Sequence, residues 1–187
     1  MIIAVDASPW GLGGVLYVNG VCVAWFSSAL TAEDERRFGY KLGDHRGQQT
    51  WEALAALVAL RAWAPWLSTV RYQLEVKSDS IVALTLLAKL KAKGSGTGMI
   101  AQEVALDICS GLYDPRVLTH TPGISNVLPD ALSRMAQAKS LSGRAAQVPD
   151  ELRSVRETSV PERNDDYYAV LVAARTWASS GLGGPAR

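Results

Sequence analysis

The stretch VDASPWGLGGVLYVNG, residues 5–20, determines how the fold begins. An apolar run ends on Asp6 and meets a glycine-rich turn, after which a second apolar run, GVLYV, follows. Asn19 and Gly20 separate this run from a third at residues 21–26, and Asn-Gly between two apolar runs predicts a two-residue hairpin. The sequence therefore predicts three antiparallel strands, with Asp6 at the end of the first.

A buried helix and a fourth strand are predicted next. Residues 48–66 are rich in Ala and Leu, and Glu52 and Arg61 are their only charges, which predicts a helix that is largely buried. Residues 70–77 alternate as a strand, and residues 81–93 read as a helix. Because strand–helix–strand crossovers are right-handed, we expect the fourth strand to lie parallel to the first and beside it.

The rest of the chain divides into a domain and a tail. The sequence predicts no firm structure at residues 31–50. It predicts a flexible break at 94–98, a helix at 99–111, a short strand at 116–119 and a last helix at 126–139. Beyond these, the chain is polar and proline-punctuated before a final apolar run. We predict a domain over residues 1–139, and a linker and tail over residues 140–187 with a docking segment at 167–178.

Composition excludes several classes of protein. The 187 residues carry a net charge of +1 and are 48% hydrophobic, which is ordinary for a globular chain. Cys22 and Cys109 are too few for a disulfide framework, and with His45 and His120 they do not suggest a zinc site. The longest apolar run, residues 53–60, is far shorter than the roughly 20 residues of a membrane span. We expect an intracellular protein, cytoplasmic or nuclear, without a membrane partner.

Four acidic residues lie where the predicted topology brings the chain together. Asp6 and Asp79 follow adjacent parallel strands, and ligands of open α/β sheets bind at the carboxyl ends of such strands. Glu52 and Asp130, each in the first turn of a predicted helix, can project to the same edge. Each acid has an alternative role as a turn residue or helix cap. Their convergence favours one shared site.

Four sequence blocks carry a family resemblance. They are Val5-Asp6-Ala7-Ser8 with Gly11 and Gly13, QQTWEALA at residues 48–55, Ser78-Asp79-Ser80, and HTPG at residues 120–123 with Asn126 and DALSR at residues 130–134. Over about residues 2–138 the chain resembles the type 1 ribonuclease H domain. The last block resembles most closely the version associated with the reverse transcriptase of LTR-type retrotransposons.

The resemblance implies an α/β, ribonuclease H-like fold, with a mixed five-stranded sheet of three antiparallel and then parallel strands, flanked by helices. It implies that Asp6, Glu52, Asp79 and Asp130 are catalytic carboxylates that bind two Mg²⁺ ions, with Mn²⁺ able to substitute. It also implies that His120 is catalytic, on a mobile loop that assists water activation or product release.

The implied activity is hydrolysis of the RNA strand of RNA/DNA hybrids, leaving 3′-hydroxyl and 5′-phosphate ends. The implied partner, besides the hybrid, is a reverse transcriptase domain in the same polyprotein. Predicted nucleic-acid contacts are Ala7, Gly11, Gln48 and Gln49 by resemblance, and Lys89, Lys91 and Lys93 as a local basic patch. The lysines have an alternative role, since cations at the end of a helix complement its dipole.

Three departures from the family and two rival functions remain, and one of the departures is that the stretch at residues 31–49 is long for the family. Pro129 stands where alanine is usual, and Gly47 stands where a polar residue is expected, which bears on phosphate contacts rather than on the carboxylates. A DNA nuclease or strand transferase of the same fold is one rival. Sequences resembling integrases place their glutamate after the second aspartate, whereas Glu52 precedes Asp79 here. The other rival is an inactive scaffold, which typically lacks one of the acids.

Overall fold

The computed structural model describes residues 1–67, 73–137 and 147–173. The strands are β1 (Ile2–Ser8), β2 (Gly11–Val18), β3 (Val21–Ala29), β4 (Leu74–Ser78), β5 (Pro115–His120) and β6 (Arg156–Glu157). The helices are α1 (Ala32–Phe38), α2 (Gln48–Leu67), α3 (Ile81–Lys89), α4 (Ser95–Cys109) and α5 (Val127–Ser133).

The strands form one mixed sheet in the order β5-β4-β1-β2-β3-β6. β1, β2 and β3 are antiparallel neighbours, while β4 pairs parallel to β1 and β5 pairs parallel to β4. This confirms the predicted α/β class and the crossover that sets β4 beside β1. The sheet has six strands rather than the predicted five, because β6 adds two residues parallel to β3, a pairing too short to show a sequence period.

The hairpin between β2 and β3 turns at Asn19 and Gly20, as predicted. Both residues have positive φ, 51° and 78°, which is the backbone of the type I′ turn that matches the twist of paired strands. Val18 and Val21 pair directly across the turn. The turn thereby fixes how β2 and β3 pair next to it, and a bulge between Leu16 and Tyr17 shifts the register further along.

Helix α2 packs on one face of the sheet and forms the centre of the main hydrophobic core. Trp51, Leu57 and Trp63 are fully buried there, in agreement with the predicted burial. The one cation of the helix, Arg61, is neutralised by Glu103 and Asp107 of α4, with nitrogen–oxygen distances of 2.6 and 2.7 Å. A helix without a polar face is stable here because other elements surround it.

Helix α1 lies in the stretch for which the sequence predicts no firm structure. Thr31 caps it: the Thr31 side chain accepts a hydrogen bond from the Asp34 backbone, and the Asp34 carboxylate accepts from the backbone of Thr31. Gly39 ends it with φ of 73°. A capping box and a left-handed C-terminal residue are local signals, so this short helix is encoded in the sequence.

The boundaries of α3 and α4 differ from those predicted. α3 ends at Lys89 rather than at residue 93, because Leu90 adopts a left-handed backbone with φ of 50°. α4 begins at Ser95, so the predicted flexible break at residues 94–98 is mostly helical. Gly96 is buried against Phe38 and Thr50. Packing against α1 and α2 therefore starts the helix where propensity alone predicts a loop.

Helix α5 packs on the opposite face of the sheet from α2. It ends at Ser133, and residues 135–137 are helical again after a turn at Arg134, so the single predicted helix over residues 126–139 is interrupted; residues 138 and 139 lie outside the described residues. Leu132 packs with Val15 and Trp25 in a second, smaller core.

The glycines of β2 allow α5 to approach the sheet closely. A Cβ on Gly13 would lie 2.4 Å from the backbone oxygen of Pro129 and 2.6 Å from the backbone nitrogen of Ser133. No side chain fits between two backbones at that separation. The glycine-rich segment of the opening stretch, expected as a turn, is therefore the start of β2 and serves helix–sheet packing.

Residues 147–173, called the strap below, pair with β3 and contact both hydrophobic cores. Leu152 joins the second core, and the indole nitrogen of Trp25 donates to the backbone oxygens of Leu152 and Val155 at 3.2 and 3.0 Å. Tyr168 is fully buried in the main core. Of the predicted docking segment, residues 167–173 are described and 174–178 are not. The predicted boundary at residue 139 stays a prediction, since residues 138–146 lie outside the described residues.

Ionic contacts also anchor the strap. Arg163 is buried against Asp34, with a nitrogen–oxygen distance of 2.7 Å. The carboxylate of Glu103 accepts hydrogen bonds from the backbone nitrogens of Ala169 and Val170 at 2.9 and 2.8 Å. Buried charges are tolerated where each finds its partner, so these contacts fix the path of the strap.

Within the described residues, no helix combines the length and the apolarity needed to span a bilayer.

We expect Gly13→Ala to lower the free energy of unfolding by about 1–3 kcal/mol, because the new methyl group forces α5 away from β2. Urea denaturation measures the change. Gly98→Ala is the matched control: Gly98 lies inside α4, and the nearest atom to its added Cβ is 3.9 Å away. Alanine should be neutral or stabilising there, by up to about 1 kcal/mol. Equal stability of Gly13→Ala and the unmodified protein would contradict the packing role of Gly13.

Candidate metal centre

Three acidic side chains meet at one edge of the sheet. Asp6 lies near the carboxyl end of β1, and Asp79 follows the last residue of β4, so the parallel pairing of these strands brings them together. Glu52 is the fifth residue of α2. One carboxylate oxygen from each of the three lies within 4.8 Å of the others. The structure thus brings together three of the four acids that the sequence selected.

Burial makes this cluster costly to charge. Asp6 and Glu52 are only 4% and 6% exposed. Burial raises the pKa of Asp6 to about 6, to which the charges of Asp79 and Asp130 contribute. Burial and the charge of Asp6 raise the pKa of Glu52 to about 9. Without a cation, Glu52 therefore holds a proton at neutral pH.

Two hydrogen bonds orient these carboxylates. The hydroxyl of Ser133 in α5 donates to Asp6 Oδ2 at 2.7 Å, which opposes the rise in the pKa of Asp6. The amide nitrogen of Gln48 donates to Glu52 Oε1 at 2.5 Å and to the backbone oxygen of Ala7 at 2.6 Å. Gln48 therefore ties the first turn of α2 to β1.

The remaining oxygens of the cluster fit a hard divalent cation. Among the described residues, Glu52 Oε2, Asp79 Oδ1 and the amide oxygen Gln48 Oε1 are buried without a hydrogen-bond partner. Buried acceptors are costly to leave without donors. Carboxylate and amide oxygens are the ligands that Mg²⁺ and Mn²⁺ prefer. Asp6, Glu52 and Asp79 are thus the residues that could hold such an ion.

Asp130, the fourth predicted acid, lies outside the group of three. Its carboxylate pairs with Arg134, with 2.6 Å between Nε and Oδ1, and both side chains are well exposed. Its charge still contributes to the raised pKa of Asp6, so it is a neighbour of the cluster. Its role as a metal ligand stays a prediction.

His120 is the last residue of β5, paired with Ser78 of β4, rather than a loop residue as the sequence suggested. The parallel β4–β5 ladder continues to this position and holds the backbone. The exposed imidazole Nε2 lies 3.2 Å from the backbone oxygen of Asp79. The backbone nitrogen of the next residue, Thr121, donates to Ser78. His120 thus borders the acidic cluster.

Of the four contacts predicted by resemblance, only Gln49 is exposed. Ala7 and Gly11 are buried, the backbone oxygen of Ala7 accepts from Gln48, and the backbone nitrogen of Gly11 donates to Ser8 Oγ. Gln48 is directed to Glu52. The predicted contact of these residues with nucleic acid stays a prediction.

The three predicted lysines line one groove beside α3 and the start of α4. Its volume is about 460 Å³, and Lys89, Lys91, Lys93, Arg46 and Gln49 are among the lining residues. The lysines are exposed, and two of them follow the end of α3 instead of belonging to it. The groove therefore joins cations from three chain segments.

Two supporting residues were not assigned a role from sequence. Ser133 binds Asp6, and Arg134 binds Asp130. Both belong to the block DALSR, where Ser133 and Arg134 follow Asp130 by three and four positions. Residues at these spacings share a helix face, and an acid–arginine pair four apart is a recognised helical ion pair. That spacing is the signal that could have found Arg134.

Comparisons with known proteins agree on the fold. The sequence matches no protein-family model and no curated protein. Among solved structures, LC11-RNase H1 in complex with an RNA/DNA hybrid has a TM-score of 0.60 at 19% identity, covering 75% of this chain and 98% of that chain. RNase H1 of the halophilic archaeon Halobacterium salinarum NRC-1 has a TM-score of 0.52 at 20% identity, covering 74% and 97%.

A third solved structure is similar. The N-terminal RNase H domain of rv2228c from Mycobacterium tuberculosis, solved as a fusion with maltose binding protein, has a TM-score of 0.53 at 15% identity, covering 76% of this chain and 99% of that chain. Almost the whole of each solved domain has its counterpart here. The chain therefore has the ribonuclease H fold that its sequence predicts.

We expect the metal-free protein to lose stability as pH rises from about 6 to 8. The pKa of Glu52 is raised from its ordinary 4.5 to about 9, so in this window its carboxyl keeps in the folded state a proton that the unfolded state has released. Asp6, whose pKa is raised to about 6, adds to this effect only near pH 6. The free energy of unfolding should fall by about 1.4 kcal/mol per pH unit. Urea denaturation at pH 6, 7 and 8 with EDTA measures the slope.

Glu52→Gln should remove that slope between pH 7 and 8 and, at pH 8, give a metal-free protein more stable than the unmodified one. Glu151→Gln, which neutralises an exposed glutamate of the strap, should leave the slope unchanged. The same slope in Glu52→Gln and the unmodified protein would contradict the protonated state of Glu52.

Proposed function

We propose that the protein is a metal-dependent endoribonuclease that hydrolyses the RNA strand of RNA/DNA hybrids and leaves 3′-hydroxyl and 5′-phosphate ends. The observation that carries the proposal is the meeting of Asp6, Glu52 and Asp79 within 4.8 Å at the strand ends of a ribonuclease H fold. The similar structure of LC11-RNase H1 is a complex with such a hybrid, which supports this class of substrate.

Asp6, Glu52 and Asp79 hold the divalent ions, Mg²⁺ with Mn²⁺ as a substitute, and Asp130 completes the set. When bound, two such ions make a water molecule nucleophilic and stabilise the 3′-oxygen that leaves. Glu52 gives up its proton when the site takes up a cation, because a positive charge reverses the effects that raise its pKa. Metal affinity should therefore rise with pH.

Gln48 and Ser133 keep the carboxylates in place. Gln48 holds Glu52 Oε1, which leaves Oε2 free for a ligand, and the link to Ala7 resists rotation of the Glu52 side chain. Ser133 holds Asp6 Oδ2 from the opposite side of the sheet. Preorganised ligands reduce the reorganisation needed during the reaction.

His120 is suited to proton movement at the border of the site. Its ring is exposed, and Nε2 lies 3.2 Å from the Asp79 backbone oxygen, so the imidazole stays beside the cluster. The imidazole ring is the side chain that enzymes use most often as a general acid or base. We assign it to water activation or to product release.

The basic groove supplies the contacts to phosphates. Lys89, Lys91 and Lys93 line it together with Gln49 and Arg46. Cations there meet the backbone of the nucleic acid, while hydrogen bonds to 2′-hydroxyls select the RNA strand in a wide minor groove. The net charge of the chain is only +1, so binding depends on this local concentration of charge.

The sequence blocks support a place in a reverse-transcribing retroelement. His120, Asn126 and DALSR at residues 130–134 form the block most typical of that version of the domain. Asn126 is buried, and its amide donates to the backbone oxygen of Val5 at 3.0 Å, so part of the block has a structural role. The partner we propose is a reverse transcriptase domain in the same polyprotein.

Asp79→Asn should reduce cleavage of an end-labelled RNA strand paired with DNA by about 10³-fold or more. The change removes a ligand charge worth several kcal/mol of transition-state stabilisation. Cleavage should also require Mg²⁺ or Mn²⁺, and the products should carry 3′-hydroxyl ends that a polymerase extends.

Asp114→Asn is the control, because Asp114 is an exposed aspartate paired with Arg116 at the opposite end of β5 from His120. It should cleave as the unmodified protein does. Equal cleavage by Asp79→Asn would contradict the mechanism. Cleavage of a DNA duplex in preference to the hybrid would favour the nuclease or strand-transferase rival instead.

Replacing Lys89, Lys91 and Lys93 together by Gln should flatten the salt dependence of hybrid binding. Each lost phosphate contact lowers the slope of log K against log[salt] by about 1. Fluorescence anisotropy between 50 and 200 mM KCl, with EDTA present, measures the slope.

Arg116→Gln, Arg153→Gln and Arg156→Gln combined remove the same charge from exposed positions that do not line the groove. This control should keep the slope within about one unit of the unmodified protein. An unchanged slope in the lysine variant would show that the groove does not bind phosphates.

A further inference from the structure

The position of Asp130 carries an inference beyond its predicted role as a ligand. Asp6, Glu52 and Asp79 lie within 4.8 Å of one another, whereas the carboxylate of Asp130 lies outside this group. It is bound instead by Arg134, four residues along the chain, with 2.6 Å between Nε and Oδ1. Asp130 is therefore already paired with a positive charge of the protein itself, that of Arg134.

The backbone of Asp130 is nevertheless held next to the cluster. The hydroxyl of Ser133 lies 2.7 Å from Asp6 Oδ2 and 2.9 Å from the backbone oxygen of Asp130. One hydroxyl group thus separates the backbone of Asp130 from the carboxylate of Asp6. Gly13 allows this approach, since the helix backbone at Pro129 and Ser133 lies against β2. The charge of Asp130 contributes to the raised pKa of Asp6, so its carboxylate already lies within electrostatic range of the cluster.

The ion pair is weak enough to be exchanged. The side chains of Arg134 and Asp130 are 59% and 41% exposed. Exposed pairs contribute only about 0–1 kcal/mol, because water screens both charges. A divalent ion already held by the three other acids offers Asp130 a stronger partner at short range.

We propose that Arg134 is a positioning residue that competes with a divalent cation for Asp130. In the metal-free protein, Arg134 holds the Asp130 carboxylate away from the three other acids and so limits their mutual repulsion. Cation binding transfers Asp130 from Arg134 to the metal centre. The inference rests on the proposed metal site. It adds a residue of the protein that lowers the cation affinity of this site.

Isothermal titration of Mg²⁺ and of Mn²⁺ into the metal-free, hybrid-free protein tests the competition. Arg134→Ala should tighten cation binding about 2- to 5-fold, which is the size of a weak exposed ion pair. In the Asp130→Asn background, Arg134→Ala should have no further effect, because nothing remains to compete for. Arg134→Lys keeps the charge and should stay close to the unmodified protein.

Arg116→Ala is the matched control. Arg116 pairs with Asp114 through Nε and Oδ2 at 2.7 Å, also on the surface, and its loss should leave cation affinity unchanged. The same gain from Arg134→Ala in the presence and absence of Asp130 would show a general charge effect and overturn the proposal. So would no gain at all.

A spectroscopic readout separates competition from a structural role. The Nε–H proton resonance of Arg134 should shift when Mg²⁺ is added to the unmodified protein, and that of Arg116 should not. An unmoved Arg134 resonance at saturating cation would overturn the proposal. Hybrid affinity in EDTA should be equal in Arg134→Ala and the unmodified protein, and a loss would assign Arg134 to phosphate binding instead.

These measurements are independent of the proposed function. Cation affinities that follow Asp130 and Arg134 in a protein without activity on hybrids would support the competition and reject the ribonuclease. Metal-dependent cleavage of hybrids without any effect of Arg134 on cation affinity would support the ribonuclease and reject the competition.

Discussion

Desolvation and like charge act together on Asp6, Glu52 and Asp79. Their oxygens lie within 4.8 Å of one another, and water reaches two of the three side chains very little. Among the described residues, only Ser133 and Gln48 donate side-chain hydrogen bonds to Asp6 and Glu52. The rest of the charge must be met by protons or by a cation. The arrangement is costly without a compensating cation, and its oxygens are ligands of the kind that hard cations prefer.

Helices on opposite faces of the sheet, α2 and α5, hold the acidic side chains of this cluster in place. From one face, α2 presents Glu52 and fixes it to β1 through Gln48 and Ala7. From the other, α5 comes close enough over Gly13 for Ser133 to reach Asp6. Both helices also pack on hydrophobic cores. Apolar packing therefore sets the positions of the polar groups.

The sequence predicted the features that follow from local pattern or from topology. Asn19-Gly20 indicates its turn, and the crossover places Asp6 and Asp79 at adjacent strand ends whatever the side chains do. Side-chain direction follows neither rule. Gln48 turns inward to Glu52, and Asp130 turns away to Arg134, because single hydrogen bonds of a few kcal/mol or less decide between rotamers.

The predicted end of α3 and start of α4 were wrong for a related reason. Gly96 belongs to α4 because it packs on Phe38 and Thr50, contacts from distant parts of the chain that a local window does not contain. Leu90 ends α3 with a left-handed backbone that its residue type does not favour. β6 is two residues long, below any detectable period.

That short strand has a consequence for behaviour at high concentration. Its pairing with Ala24 and Trp25, together with the hydrogen bond from the Arg163 guanidinium to the backbone oxygen of Ala29, covers part of the outer edge of β3. Open strand borders recruit strands from other molecules and begin aggregation. The strap thus protects part of β3 from such pairing, and fragments ending before it would be expected to self-associate through β3.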